Sequence, residues 1–347
     1  MRRSLVRRVA AAAPAAWYLL RPRPARCDDE GAAPGPDYMT RAYEIASPAV
    51  VNIQCECRRF LREVAIGSGV IVGESGRVVT NAHVVANCST PPVITAEDGR
   101  QFTGRLVGFD QMTDLALLQI VNETEGQTFP AVQFANSDAV RPGQIVLTIG
   151  SPLLLHTTVT HGIISAVQRQ SAELGLSKSH RTDYIQTDAP INSGNSGGAL
   201  VDLNGRLVGI TTMKAPFAAG IGFAIPTNTV RAIIDQLEKN GRVLRPYLGF
   251  AMVTLTPAII ARERSIGDFP DVKAGVLVTN VAPYSPADRA GLLAGDVIVA
   301  VDGDPSINSV RLLLQHLGFE SQRAVTFDVL RNRGQRLRLS VTPVPRE

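Results

Sequence analysis

Residues 194–210 read GNSGGALVDLNGRLVGI, and this stretch decides between the folds that the rest of the sequence allows. Its first part, Gly194-Asn195-Ser196-Gly197-Gly198, sets one serine among glycines, which permits a tight turn with an exposed hydroxyl and backbone amides that converge beside it. Its second part continues as strand, turn and strand. The stretch therefore predicts a reactive serine in a loop between β-strands.

The same glycine and serine string also matches GxSxG, the nucleophile elbow of α/β-hydrolases. An elbow needs a helix directly after its serine, and the residues after Ser196 predict strands instead. The α/β-hydrolase chain order of serine, acid and histidine also differs, because the candidate partners of Ser196 lie upstream of it. A hydrolase of that fold, acting on small esters, is therefore the disfavoured alternative.

The candidate partners of the serine are His83, in TNAHVV, and Asp114, in MTDLALL. Taken alone, such a histidine is more often structural, and such an aspartate is more often a turn or strand cap, since a buried carboxylate needs a partner. Spacings of 31 residues from His83 to Asp114 and 82 from Asp114 to Ser196 suit two consecutive β-barrels that contribute to one cleft. There the imidazole can prime the serine hydroxyl.

Short Val- and Ile-rich runs, punctuated by Gly, Asn, Asp and Pro, fill residues 49–225 and predict an all-β sandwich or barrel. From Thr227 to Asn240 the apolar residues fall at helical spacing, with Thr227 or Asn228 able to cap the helix and Gly241 able to end it. The remaining hundred or so residues mix strand-like and helical segments. They predict a small α+β module.

The motifs TNAHVV, TDLALL and GNSGG, in this order, resemble the HtrA (Deg) family of serine proteases and in particular its mitochondrial Omi-type member. The resemblance runs from about Tyr38 to the last residue and includes the strings YIQTDA and GFAIP. It implies a mainly β chain, with a chymotrypsin-like double β-barrel protease domain at 38–241 and a small α+β PDZ domain at 242–347. Two departures from the family pattern, Ala199 and Gln111 in place of prolines, remove no reacting group and predict altered loop stiffness.

The resemblance also implies roles for the candidate residues. Ser196 would attack a peptide carbonyl, His83 would take its proton and pass it to the leaving amine, and Asp114 would fix the imidazole tautomer. The amides of Gly194 and Ser196 would form the oxyanion hole. The resemblance thus implies a serine endopeptidase that forms an acyl-enzyme.

A specificity pocket is expected between the segment before Ser196 and the segment after Thr211. No acidic residue is evident at its base, although Asp188 lies close in sequence. We therefore expect cleavage after Val, Leu, Ile or Met rather than after Arg or Lys. The expected pocket residues are Ala189, Pro190, Ile191, Ile221 and Phe223.

The string Tyr247-Leu248-Gly249-Phe250 resembles the loop with which PDZ domains bind the carboxylate of a C-terminal peptide. An ordinary turn with one glycine is the alternative, but the strings SPADRAGL and GDVI further along also resemble PDZ segments. The family implies a homotrimer as well, with Tyr38 and Tyr43 as candidates for the threefold contact. Alternatively, these tyrosines only cover their own barrel.

The first 27 residues hold seven of the 35 basic residues, no Asp or Glu, and the apolar run Val9–Leu20. This pattern is typical of an organelle transit peptide. A secretory signal peptide is the alternative, although arginines on both sides of the run fit it poorly. Residues 28–37 predict a flexible linker. The family resemblance implies the mitochondrion, in the intermembrane space.

Charge and composition disfavour several classes of partner. From Asp28 onward the chain has 28 basic and 31 acidic residues, so it lacks the excess of basic residues that is typical of proteins that bind nucleic acid. The sequence contains no run of about 20 apolar residues, so it predicts no membrane span. The four cysteines form neither a CxxC pair nor a set of four zinc ligands. They are therefore predicted to be buried thiols or thiols without a chemical role. Nothing in the sequence calls for a metal or an organic cofactor.

The sequence therefore predicts a serine endopeptidase, and the family resemblance implies that it degrades unfolded or damaged proteins in protein quality control, with activity regulated by the PDZ module. The alternative is a chaperone-like or peptide-binding protein in which the PDZ module and the cleft hold unfolded chains and proteolysis is minor.

Overall fold

The computed structural model describes residues 37–57, 64–121, 126–151, 157–170, 183–192, 194–214, 220–319 and 322–346. Residues 39–347 form one compact unit. The predicted transit segment at 1–27 and all but the last residue of the predicted linker at 28–37 lie outside the described residues.

Six antiparallel strands close the first barrel in the order β1-β2-β3-β6-β5-β4. Helix α1 (Tyr38–Ala46) precedes the barrel, and the single-turn helix α2 (Ala82–Val85) follows its third strand directly. The six strands are β1 (Val50–Glu56), β2 (Val64–Gly73), β3 (Arg77–Asn81), β4 (Val93–Thr95), β5 (Gln101–Asp110) and β6 (Leu115–Ile120).

Six further strands close a second barrel in the order β10-β11-β12-β9-β8-β7. One core of buried side chains joins the two barrels and includes Leu117 of the first and Ile149 of the second. The strands are β7 (Ile145–Gly150), β8 (Thr158–Gln170), β9 (Asp183–Thr187), β10 (Ala199–Val201), β11 (Leu207–Lys214) and β12 (Gly222–Pro226).

Helix α3 (Thr227–Asn240) follows the second barrel and has the bounds that the sequence predicted. Gly241 ends it with a left-handed φ of 68°, as expected. The predicted cap is wrong, because neither Thr227 nor Asn228 caps the helix with its side chain. Instead the amide of Asn228 donates to the hydroxyl of Ser137, 3.1 Å away, in a segment nearly a hundred residues upstream.

The C-terminal module is built on a five-stranded antiparallel sheet in which β14 (Phe250–Thr254) is an edge strand. Its other strands are β15 (Val276–Val281), β16 (Val297–Val301), β17 (Val325–Arg331) and β18 (Gln335–Val341). Helices α4 (Pro257–Ile266), α5 (Pro286–Arg289) and α6 (Val310–Leu317) cover it, and a two-stranded sheet of β13 (Arg245–Tyr247) and β19 (Val344–Arg346) joins the two ends of the module.

Two closed six-stranded barrels followed by this module confirm the predicted fold class and exclude the α/β-hydrolase alternative, which needs a helix directly after the serine. No helix within the described ranges is long and apolar enough to cross a membrane.

The cysteine prediction is wrong for two of the four residues. Cys55 in β1 and Cys88 beyond α2 form a disulfide, with their Cα atoms 5.6 Å apart. They are separated by 33 residues in sequence, and only the closure of the first barrel brings them together. Cys57 is the one free cysteine among the described residues and is partly buried.

An ion pair links the first barrel to the start of the C-terminal module. Arg245 donates through both terminal nitrogens to the carboxylate of Asp110, over 2.9 and 2.7 Å. Thr113 donates its amide and its hydroxyl to the same carboxylate. Burial raises the pKa of the Asp110 carboxyl, but the hydrogen bonds and charge of Arg245 and the donors of Thr113 outweigh burial and hold that pKa below its ordinary value of 3.8.

We expect Arg245→Ala to lower the free energy of unfolding by about 3 kcal/mol at neutral pH, because the buried Asp110 carboxylate loses its partner. Since the folded-state pKa is depressed, the pair stabilises the protein fully above about pH 4, and this stabilisation is lost as the pH falls through the folded-state pKa. The variant should therefore lose less stability than the wild type as the pH falls below about 4. Urea denaturation followed by circular dichroism measures both effects.

Arg338→Ala is the matched control, because Arg338 pairs with Asp328 across 2.7 Å on the surface, with 71% of the arginine side chain exposed. We expect this variant to cost less than about 1 kcal/mol. Equal losses in the two variants would contradict the special role of the Asp110 pair.

Candidate active site

Asp114 lies in the turn between β5 and β6 and has a left-handed φ of 59°, which is uncommon outside glycine. Two groups at the start of α2 hold its backbone carbonyl: the amide of Ala82 at 3.0 Å and the side-chain amide of Asn81 at 2.9 Å. The Asp114 carboxylate is thereby aimed at α2 and is only 8% exposed.

Three donors satisfy this carboxylate. His83 donates its backbone amide to Oδ1 at 3.0 Å, and its Nδ1 lies 2.8 Å from Oδ2. The hydroxyl of Thr212, from β11 of the second barrel, donates to Oδ2 at 2.8 Å. Because an ionised carboxylate only accepts hydrogen bonds, the contact with Nδ1 fixes the histidine proton there. The Nε2 atom of His83 is then free to accept a proton.

His83 lies in the single-turn helix α2, whose apolar residues Val84 and Val85 face the barrel interior and whose histidine faces solvent. Half of its side chain, 52%, is exposed. The alternation of two buried valines with one exposed histidine fixes the direction of the imidazole. The histidine is therefore anchored on its Nδ1 side and open on the other.

Ser196 lies in a glycine loop that leads directly into β10 of the second barrel. Gly194 and Gly197 have φ of 105° and 83°, in the region that favours glycine. A Cβ atom added to Gly197 would meet the carbonyl oxygen of Ser68 and the hydroxyl of Thr80, so this position also requires glycine for space. The predicted tight turn around the serine is thus what the chain adopts.

The hydroxyl of Ser196 donates to the backbone carbonyl of Thr212, 3.0 Å away. No hydrogen bond joins it to His83 among the described residues. Thr212 therefore contacts both ends of the constellation, through its side chain to Asp114 and through its carbonyl to the serine. The structure brings the serine, the histidine and the aspartate to one place and holds the serine hydroxyl off the imidazole.

Ser68, a fully buried residue of β2, connects the first barrel to the serine loop. Its amide donates to the carbonyl of Ser196 at 2.8 Å, and its hydroxyl donates to the carbonyl of Gly194 at 2.6 Å. The same hydroxyl accepts the amide of Ser151 at 2.8 Å. Ser68 thus holds the two peptide groups on either side of the one that carries the Ser196 amide.

Two amides of the loop have no carbonyl partner within the part of the chain that the structure describes. They are the amides of Gly194 and Ser196, the pair expected to form an oxyanion hole. The neighbouring amides of Gly197 and Gly198 are used internally, by the carbonyls of Thr211 and Asn195. With respect to the described residues, the amides of Gly194 and Ser196 are therefore available to a ligand oxygen.

The expected pocket residues have different environments. Ala189 and Ile191 are buried, Pro190 is exposed and Ile221 is half-buried. The side chain of Ile191 covers Gly222, where an added Cβ would lie 2.6 Å from it. Phe223 packs edge-on against Tyr184 in the core, with ring centroids 6.2 Å apart.

Asp188, the acidic residue nearest the expected pocket, is exposed. Its carboxylate accepts the amide of Ile163 in β8 at 2.6 Å. The carboxylate is therefore engaged by the barrel wall.

The expected carboxylate loop of the C-terminal module turns at Gly249, which has a φ of 86°. A Cβ atom there would overlap the Ser285 side chain, so only glycine fits. The carbonyls of Leu248 and Gly249 accept the amides of Ala287 and Ala282, while no described carbonyl accepts the amides of Leu248 and Gly249 themselves. The loop opens beside Phe250, the first residue of the edge strand β14.

The two tyrosines considered for a threefold contact are both half-buried. Tyr43 donates its hydroxyl to Glu97 over 3.4 Å and lines a groove with Val159 and His161 of β8. No group of acidic, histidine or cysteine side chains in the described part of the chain could hold a metal ion.

Sequence reasoning missed Ser68 and Thr212, which contact the candidate residues from strands β2 and β11. Ser68 stands in a GSG string and Thr212 in a TTM string that carry no distinguishing pattern. Their contacts depend on two barrels facing each other, so no local signal could have identified them.

Comparison with known proteins gives a consistent picture. Residues 67–210 match the trypsin-like peptidase domain and residues 246–342 match the PDZ domain. The candidate protease Do-like 14 of Arabidopsis thaliana is 43% identical to the chain over 283 residues, which cover 79% of this chain and 65% of that protein. Human serine protease HTRA3 is 38% identical over 290 residues, covering 80% of this chain and 62% of the relative.

The solved structure of the HtrA-type protease AlgW with a tripeptide is 37% identical to the chain and superposes with a TM-score of 0.76. The match covers 90% of this chain and 98% of that one. The chain therefore belongs to the HtrA family of serine proteases, with a trypsin-like peptidase domain followed by one PDZ domain.

Proposed function

We propose that this chain is an endopeptidase that cleaves unfolded proteins through an acyl-enzyme on Ser196, with His83 as general base and Asp114 as the group that orients it. The main support is the set of hydrogen bonds at the Asp114 carboxylate, which accepts the Nδ1 proton of His83 and the hydroxyl of Thr212 at 2.8 Å each. This leaves Nε2 of the imidazole as the basic atom beside the serine.

The reaction begins when the Ser196 hydroxyl turns from the Thr212 carbonyl toward His83. Nε2 takes the hydroxyl proton as Oγ attacks the peptide carbonyl, and the imidazolium that forms is stabilised by the Asp114 carboxylate. His83 then gives the proton to the leaving amine, and water releases the acyl group by the same steps. Rotation of the Ser196 side chain is thus the first rearrangement that this mechanism needs.

The amides of Gly194 and Ser196 stabilise the negative oxygen of the tetrahedral intermediate. A donor of this kind is typically worth about 3 kcal/mol of barrier. Ser68 acts on the loop as a positioning residue, since it is fully buried and holds the carbonyls of Gly194 and Ser196.

The substrate side chain before the cleaved bond binds beside Ala189, Ile191 and Ile221. The apolar wall and the engagement of the Asp188 carboxylate with the barrel favour aliphatic residues over Arg and Lys. The Ile191 side chain covers Gly222 and leaves little space there, so we expect the pocket to be shallow.

We further propose that the C-terminal module binds peptide C termini and regulates cleavage. The available amides of Leu248 and Gly249 would accept the carboxylate, and a peptide would add as a strand to the free edge of β14. Arg311 of α6, on the other side of that groove, lies 3.1 Å from Asp183 of β9. A peptide seated between β14 and α6 would thus act on a contact with the second barrel.

A role in protein quality control, a homotrimer built around Tyr38 and Tyr43, and import into the mitochondrial intermembrane space complete the proposal. We propose domain boundaries at 38–241 and 242–347, with a transit segment at 1–27 and a linker at 28–37. The groove between α1 and β8, which contains Tyr43, supports the trimer as a surface that a neighbouring protomer could fill.

We expect Ser196→Ala to abolish casein cleavage and labelling by a fluorophosphonate, because both need an activated hydroxyl. Mass spectrometry of the wild-type products should map cuts after Val, Leu, Ile or Met. Ser137→Ala is the control, because the Ser137 hydroxyl accepts the amide of Asn228 at the start of α3 and lies away from the serine loop. This variant should keep both activities.

Wild-type protein that binds unfolded chains but neither cleaves them nor reacts with the fluorophosphonate would instead support the chaperone-like alternative. Cuts mainly after Arg or Lys would contradict the pocket while leaving the nucleophile in place.

We expect Ser68→Ala to lower kcat about 10- to 100-fold with little change in KM, because the loop amides lose their alignment with the oxyanion. Ser137→Ala again provides the control, since it also removes a buried serine hydroxyl but lies away from the serine loop. Steady-state kinetics on one peptide substrate, alongside urea denaturation, separates the two effects. Equal loss of kcat in both variants would show that Ser68 acts only through stability.

We expect a library of decapeptides with free carboxyl termini to bind the protein and to raise the rate of casein cleavage about fivefold or more, within the usual range of coupling between sites. The same library with amidated C termini is the control and should do neither, because the loop amides then lack a carboxylate. Fluorescence anisotropy and initial rates provide the two readings. Equal binding of both libraries would count against the carboxylate loop.

A further inference from the structure

Three cysteines lie together at one end of the first barrel, next to the helix that carries His83. Cys55 forms a disulfide with Cys88, and Cys57 pairs with Cys88 as an antiparallel bridge between backbone segments. Directly opposed residues in such pairs have Cα atoms about 4.5–5.5 Å apart, which lies within the range of disulfides. Cys88 therefore lies within bonding distance of two alternative partners.

Backbone contacts keep these segments together without the disulfide. The amide and the hydroxyl of Ser89 both donate to the carbonyl of Glu56, at 2.7 and 2.9 Å. The amide of Glu56 donates to the hydroxyl of Thr90 at 3.2 Å. Cys88 would therefore stay opposite Cys57 if its bond to Cys55 opened.

The two pairings differ in their depth in the barrel. Cys55 is buried, at 4% exposure, whereas Cys57 and Cys88 are partly exposed. The sulfur atoms of Cys55 and Cys88 lie 3.7 and 3.9 Å from the carbonyl oxygen of Val84, the residue after His83. The existing disulfide thus ties α2 to the interior of β1 directly beneath the histidine.

We propose that Cys55, Cys57 and Cys88 form a thiol–disulfide exchange site in which Cys88 changes partner, and that this exchange sets the position of His83. Cys57 releases its proton to solvent and its thiolate attacks the Cys88 sulfur. The Cys57–Cys88 bond forms as the Cys55–Cys88 bond breaks, and the electron pair leaves on Cys55, which takes up a proton. The step is balanced and consumes no oxidant.

The exchange moves the covalent tie two residues along the strand, from the buried sulfur to the partly exposed one. The disulfide then no longer ties α2, with Val84 and Val85, to the buried part of β1. The His83 imidazole is therefore held less firmly relative to Ser196. Displacement of a general base by a fraction of an ångström lowers kcat with little effect on substrate binding. The kinetic part of this inference rests on the proposed peptidase function, whereas the exchange itself does not.

The test uses the full chain as wild type, Cys57→Ser and Cys55→Ser. Each oxidised protein is incubated near pH 8 without reductant, quenched with acid and alkylated. A glutamate-specific protease then cleaves after Glu56, which separates Cys55 from Cys57, and mass spectrometry identifies the linked peptides. The kcat and KM of each protein are measured on the same samples with one peptide substrate.

We expect both disulfides in the wild type, only Cys55–Cys88 in Cys57→Ser and only Cys57–Cys88 in Cys55→Ser. The Cys57→Ser protein is the matched control and should equal or exceed the wild-type kcat. Cys55→Ser should have about tenfold lower kcat with an unchanged KM.

Alkylated Cys57 and Cys88 in oxidised Cys55→Ser would overturn the exchange site. Complete exchange with equal kcat in all three proteins would overturn its effect on His83. Both disulfides without cleavage by any of the proteins would sink the proposed function and leave the exchange standing.

Discussion

The arrangement at the active site depends on one buried carboxylate. Asp114 sits on a left-handed backbone whose carbonyl is held by the start of α2, so its side chain reaches His83 from one barrel and Thr212 from the other. A buried carboxylate is costly unless its hydrogen bonds are satisfied. Here they are satisfied only when both barrels are closed and facing, which makes the folding of the two barrels a condition for the geometry of the histidine.

The glycine loop meets the same requirement from the second barrel. Ser68 crosses between the barrels to hold the loop, and Gly197 lies too close to the first barrel for any side chain. The proposed nucleophile and its proposed base therefore belong to different barrels, and each is held by a residue of the other barrel. Substitution of Ser68 or Thr212 should therefore change the distances between Ser196, His83 and Asp114 more than it changes the chemistry of those side chains.

Much of this could be predicted from the sequence because the signals were local. A helix with regular apolar spacing was predicted to the residue, since Gly241 ends it by a backbone conformation that few other residues adopt. The serine loop and the order of its partners similarly predicted the double barrel. Contacts across the fold had no such signal: the Ser137 cap, the Cys55–Cys88 disulfide, and the roles of Thr212 and Ser68 all join segments distant in sequence. Helix α4 was not predicted either, and Ile260 is the single buried residue of this helix.

The two-stranded sheet of β13 and β19 closes the C-terminal module on itself, with Arg346 stacked on the ring of Tyr247 at 4.7 Å. The first and last strands of this module thus pair with each other, beside the arginine whose guanidinium holds Asp110, four residues before Asp114. A second contact, between Arg311 of α6 and Asp183 of β9, joins the module to the second barrel. Any movement that a captured ligand imposes on the module would therefore strain both contacts, and one of them lies a few residues from the carboxylate that we propose orients His83.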